Sequence, residues 1–434
     1  MQTHEVTPKR PRLHILWFLA AIAVLLAASV AALVFYSRYS YSGRIAAIRA
    51  AGDPVSIADL APKPIPAEDN ATVYLNAAAA RLEAFAKEQY RFTQSPEGKA
   101  YQATTERGEP ASPEQIATMR AILENYSDVD AKLDRAAACD AYASQLDYSL
   151  PPDRFIDAAM DSWTDERSVG RFITWQMEVA IAEGRTEDAI ELGIRLLRLA
   201  RMHGAEPTVS ASLVVMAIYS GAMPRVYESL ASSEISIALR QQLDDELGAC
   251  IKSLKSDAAL KSERAYNIDA LRSQFGILGS LPIGWPPRSQ QADTLDFYDR
   301  MLPAMQMSWH DQRTQPGGSV FAAPAGAAAM SSTLLPAINA WFEAKNRTIA
   351  TLRSLRIYSA LQEFAETNGR EANSLADLAL PAAETVDPFS GQPMIMKKTI
   401  DGWLVYSVGR DGDDDGGNFK NMKDYGVGPR KRAK

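Results

Sequence analysis

The chain has 434 residues, 47% hydrophobic and 23% charged, with a formal net charge of -7. That is enough chain for two or three domains and at least one core of ordinary size. Mild acidity without a basic stripe argues against nucleic-acid binding and favours plain solubility. Cys139 and Cys250 are too few for a disulfide framework or a four-cysteine zinc site. They read as two separate buried thiols or, if the chain is exported, as one bridge.

Residues 1–14 form a short tail carrying Lys9, Arg10 and Arg12, and residues 15–36 contain no charge. Twenty-two helical residues span about 33 Å, enough for a hydrocarbon core of roughly 30 Å. Trp17 and Phe18 near one end, and Phe35 and Tyr36 at the other, suit the two membrane interfaces. The expectation is an uncleaved single-pass helix with the N-terminus inside and the C-terminal domain outside the cytoplasm. Arg38, Arg44 and Arg49 follow the span, so this orientation rests partly on the long acidic region behind it. The competing reading is a cleaved signal peptide, but the apolar run outlasts the usual segment of about 7 to 15 residues.

Residues 37–66 read as a linker ending in Ala61-Pro62-Lys63-Pro64-Ile65-Pro66, and residues 67–273 as an α-helical domain. The first helix starts near Ala67, with Ala71, Leu75, Ala78, Ala79, Leu82 and Phe85 along one face. Ser95-Pro96-Glu97-Gly98 breaks it. Ser112-Pro113-Glu114-Gln115 announces another, which turns Ile116, Met119, Ile122 and Leu123 inward. A further helix runs over 129–142.

The clearest internal unit is 168–230. Phe172, Trp175, Val179 and Ala182 mark one helix, Gly184-Arg185-Thr186 a turn, and Ala189 to Leu199 an antiparallel partner. That turn resembles the corner of a tetratricopeptide-type hairpin. Pro207 starts a second pair, with Leu213 to Ile218 on one helix and Val226, Tyr227 and Leu230 on the other. A repeat scaffold and an irregular helical domain are both open. Residues 274–335, rich in Pro, Gly and Ala, read as loops with short helices, with Met301, Met305 and Met307 as core filler rather than a binding surface.

Residues 336–418 change character. A helix ends at Asn368-Gly369. Asp387-Pro388-Phe389 follows, then strands at 394–396 and 402–407, Tyr406-Ser407, and Gly409-Arg410-Asp411-Gly412. Over 347–418 this order resembles the C-terminal half of the type II secretion major pseudopilin. The whole chain is similar to membrane-anchored planctomycete-type bacterial proteins that join a helical middle to such an ending. The resemblance implies a small α+β module with a short antiparallel sheet, on a chain anchored in a bacterial inner membrane with its N-terminus cytoplasmic and its C-terminal domain periplasmic. The apolar span lacks the Glu by which pseudopilins register in a fibre, so reuse of the module is expected rather than fibre assembly.

Asp411, Asp413 and Asp415, with Gly at the sixth position, have the spacing of a calcium loop. Met422 at the twelfth position excludes a complete EF-hand. The resemblance implies calcium held by those three aspartates; Asp424 is a further candidate, closing the shell from outside the loop. The plain alternative is a solvated acidic turn. Residues 419–434 form a basic tail carrying Arg430, Lys431, Arg432 and Lys434.

Among the four histidines no zinc-protease motif occurs, and neither a nucleophile elbow nor a phosphate loop is present. His310-Asp311 reads as a surface loop rather than an acid/base pair. The chain is therefore expected to be mainly α and non-catalytic, a scaffold binding the bilayer through 15–36 and a protein partner beyond it. The alternatives are an accessory of a type II secretion-like system, or an enzyme without recognisable motif, which would need two close carboxylates in a helical cavity.

Overall fold

In the computed structural model, α1 (Arg12–Ala50) is one continuous helix of 39 residues. The structure describes residues 12–106, 109–206, 208–232, 235–275, 285–314, 329–419 and 423–429. Over Trp17–Ser29, α1 is apolar and every side chain faces outward. Its last turns are different: Tyr41, Ile45 and Ile48 pack with Val55, Ile268 and Leu295, and Arg44 bonds Asp296 and Asp299 at 2.7 Å each.

The chain then stays pinned. Asp53 pairs with Lys261 and Arg264 at 2.9 and 3.0 Å, the Ile57 N–H donates to Asp269 at 2.7 Å, and Val55 and Ile57 are buried. The linker expected at 37–66 thus shrinks to the Pro-rich stretch 61–66, because the residues before it find apolar and charged partners.

Asn70 caps α2 (Ala71–Gln94) by accepting from the Thr72 N–H at 3.2 Å, while its amide donates to the Ala143 carbonyl at 3.0 Å. The break at Ser95 is a corner into α3 (Pro96–Glu106), where the Ser95 hydroxyl accepts the Gly98 N–H at 3.0 Å. A Ser112/Gln115 capping box starts α4 (Pro113–Glu124). α5 (Asp130–Ala138) stops short of the expected Tyr142, since Ala141 and Ala143 are held beside the start of α2 by backbone and Asn70 hydrogen bonds.

α6 (Pro152–Ala182) and α7 (Thr186–His203) form a hairpin whose turn passes through Gly184 at φ 74°, a conformation that favours glycine. A side chain at Gly193 would begin 2.8 Å from Val226, so α7 lies close against α8 (Val209–Ser232). The helix pair expected after Pro207 is this single helix. Pro224 sits inside it, and burial of Val214, Tyr219, Val226 and Leu230 outweighs an interior proline's cost of about 3 kcal/mol. Among the described residues α8 is long and apolar enough to cross a membrane, but most of its apolar window is buried, as in a core helix.

α9 (Ile237–Leu254) and α10 (Ala258–Phe275) precede α11 (Trp285–Ala304) and α12 (Trp309–Thr314). A 20-residue α11 corrects the irregular reading of 274–335: Leu295, Phe297, Tyr298 and Met301 bury at helical spacing. Met301 and Met305 are core residues.

The longest helix, α13 (Ala329–Asn368), packs on α8 and α9 and also beneath the sheet. That sheet runs β1 (Ile395–Thr399), β2 (Gly402–Ser407) and β3 (Tyr425–Val427), antiparallel in the order β1-β2-β3. The third strand lies where a basic tail was expected, and its Val427 pairs with Val405. Residues 430–434, including the basic cluster, lie outside the described residues. The protein is mainly helical with this small sheet. One apolar core runs from Ala71 through α8 and α13 to Phe389, Val405 and Val427, so no boundary falls at residue 336.

Candidate functional site

Asp387 organises the C-terminal end. Its carboxylate accepts from the Phe389 N–H at 2.8 Å, the Ser390 hydroxyl at 3.0 Å, the Ser407 hydroxyl at 2.6 Å and the Val408 N–H at 3.1 Å. This ties the Asp-Pro-Phe turn to the end of β2. Phe389 then stacks on Tyr425, and the Trp309 and His310 N–H groups donate to the turn's carbonyls. His310 is exposed, and Asp311 bonds Ser308 at 2.8 Å.

In the acidic loop, Asp411 and Asp413 are exposed, and the Asp413 N–H donates to Asp411 at 3.3 Å. Asp414 accepts from the Tyr406 hydroxyl at 2.9 Å. Asp415 pairs with Lys423 at 2.7 Å through one oxygen and buries the other without a partner. Asp424 accepts from the Gly417 and Asn418 N–H groups at 2.8 and 2.9 Å, and its second oxygen is likewise buried and unpartnered. Burial first, and the neighbouring Asp415 as well, holds the Asp424 carboxyl above its ordinary range. Among the described residues no three Asp, Glu, His or Cys side chains gather as a metal-ligand set. The fold brings Asp415 and Asp424 together and leaves Asp411 and Asp413 on the rim.

A groove of about 570 Å³ runs between the α6–α7 hairpin and α4–α5. Its walls mix charges with acids in excess: Arg120 and Glu124 from α4, Asp130 and Asp134 from α5, Glu191 and Arg195 from α7. Arg195 bonds Asp130 at 2.9 Å, and Gln176 bridges the same pair.

A second cavity, of about 290 Å³, opens between α2, α6 and the 142–146 segment. Glu166 lines it. Behind it the His203 ring is fully buried, its Nδ1 lying 3.5 Å from Glu166, 3.3 Å from Glu206 and 3.1 Å from the Tyr142 hydroxyl. Ser162, on the cavity wall, approaches Glu206 at 3.5 Å. One Glu206 oxygen and His203 Nε2 are buried without partners. Burial favours the neutral form of each group. It pushes Glu166 up to about 8, with Glu206 and Asp165 adding repulsion, pushes Glu206 up to about 7, and drives His203 down to about 3.

An enzyme reading depends on two close carboxylates in a helical cavity; here Glu166 lines the cavity, while Glu206 lies behind it on the far side of Ser162. Sequence reasoning missed this arrangement, although a signal was present: Phe155, Ala159, Trp163, Glu166, Gly170 and Ile173 follow one helical row, which sets a glutamate on the core face of α6. Both cysteines are free and buried, so they do not pair.

No protein-family model matches the chain, and neither the curated proteins nor the solved structures contain a match to it.

Proposed function

We propose that the chain is a membrane-tethered, non-catalytic helical scaffold that receives a protein segment in the groove between α4–α5 and α6–α7. The observation that carries this reading is the groove itself, a wall of mixed charge between α4–α5 and the α6–α7 hairpin, and the resemblance of the Gly184-Arg185-Thr186 turn to a tetratricopeptide-type corner supports it. The outward apolar face of α1 over Trp17–Ser29 supports insertion of residues 15–36 in a bilayer, with the folded part in the periplasm. A photo-crosslinking residue in place of Leu192, on the groove wall, tests it in native membranes, with Ile237, which is 76% exposed, as the control position. An adduct from the groove position alone, weakened by Glu191→Lys, is expected. Equal labelling at both positions, or none, overturns the reading.

A second reading is an accessory of a type II secretion-like system with a calcium-stabilised ending. The unpartnered buried oxygens of Asp415 and Asp424 favour it. Of the candidate ligands Asp411, Asp413 and Asp415, the last fits best, with Asp424 beside it. Lys423 already neutralises Asp415, so calcium would have to displace that ammonium. Calorimetric titration of the full chain with calcium should give saturable heat that Asp415→Asn removes; absence of heat in the unmodified protein excludes the site.

A further inference from the structure

The Glu166 cavity lies apart from the groove, and its chemistry points to a different occupant. Its lining includes two carboxylates, Asp165 and Glu166, and neither Lys nor Arg. Glu206 stands directly behind Ser162, so a third acid faces the same region without a cation. Glu166 is 5% exposed and Glu206 1%, which puts this acidity in a medium where an uncompensated charge is costly. The charged or polar neighbours of Glu166 are His203 on α7, Glu206 just after it, Tyr142 on the facing segment and Asp165 on its own helix. His203, the only basic side chain among them, leaves Nε2 unpartnered, as Glu206 leaves one oxygen. The same lining carries Leu75, Leu82, Leu146 and Val169 among the polar Thr72, Asn76, Ser144 and Gln145, and about 290 Å³ suits a ligand of a few heavy atoms.

We propose that this cavity is a binding site for a small organic cation, an alkylammonium whose charged head meets Glu166 and Asp165 beside the Tyr142 ring and whose hydrocarbon chain lies along the leucines. A positive head would offset the buried carboxylates. The aromatic ring adds attraction for a cation. The four aliphatic side chains in the lining favour such a ligand over a hydrated inorganic ion.

The test is calorimetric titration of the detergent-solubilised full chain with n-butylamine at pH 9, where the Glu166 carboxyl, raised to about 8, is ionised and the amine is still charged, alongside n-butanol and potassium chloride as probes of shape and of charge alone. Saturable heat with butylamine only is expected, with at least a tenfold loss of affinity in Glu166→Gln and a smaller loss in Asp165→Asn. A rise in the melting temperature of the unmodified protein with butylamine, absent with butanol, should accompany it; this reading stands even where Glu166→Gln misfolds. Equal responses to butanol or potassium, no response to butylamine, or a folded Glu166→Gln that binds like the unmodified protein overturns the proposal.

Discussion

Glu166 occupies a core position on α6, and its environment dictates how the fold responds to pH. Its carboxyl moves from an ordinary 4.5 to about 8 by burial, so the folded state binds the proton more tightly than the unfolded chain. The stability from that proton is fully present below about pH 4.5 and is lost as pH rises through about 8. Glu206, raised to about 7, acts with the same sign. His203 acts in the opposite sense: lowered from 6.5 to about 3, it loses stability as pH falls through that window. The melting temperature should therefore decline between pH 5 and 7, at up to about 1.4 kcal/mol per pH unit for each glutamate; from pH 7 the buried Lys345, lowered to about 7 by burial, gains stability as pH rises and offsets Glu166. Glu166→Gln should flatten much of that decline. An unchanged slope in a pH series of melting curves would show that Glu166 ionises freely in the folded state.

At the scale of elements, Asp387 joins a turn to a strand. It is 2% exposed and accepts four hydrogen bonds, from backbone and hydroxyl donors on both sides of the junction. Asp387→Ala leaves those donors buried and unpaired, and should destabilise the protein by about 3 kcal/mol or more. Asp387→Asn keeps an acceptor and should lose less. Urea denaturation separates the cases, and a loss under about 1 kcal/mol for the alanine variant would mean that water replaces the carboxylate. The Asp-Pro-Phe turn was legible in the sequence. Its four bonds were not, because Ser407 lies twenty residues away along the chain.

For the whole molecule, α13 decides the unity of the fold by packing one end on α8 and α9 and the other beneath the sheet. A single core with no break at residue 336 predicts one cooperative unfolding transition for the folded part, with calorimetric and van't Hoff enthalpies in agreement. Two resolved transitions, one assigned to the sheet, would show instead that the ending is an independent module. The docking of α1 has a related consequence: Arg44 and Ile45 fix the end of this helix against α10 and α11, so its last turns belong to the folded part.

Local chemistry determined much of this protein in advance. The helical faces of α2, α4, α6 and α7, the Ser112 cap, the Gly184 turn and the stop at Gly369 all rest on spacing and dihedral preferences within a few residues. Tertiary packing decided the rest. The continuity of α8 through Pro224, the helix at 285–304, the third strand and the pinned segment after α1 all need partners distant in sequence. So does the buried cluster of Glu166, His203 and Glu206 behind the second cavity. A buried polar group draws its character from what surrounds it, and those surroundings come from four separate stretches of chain.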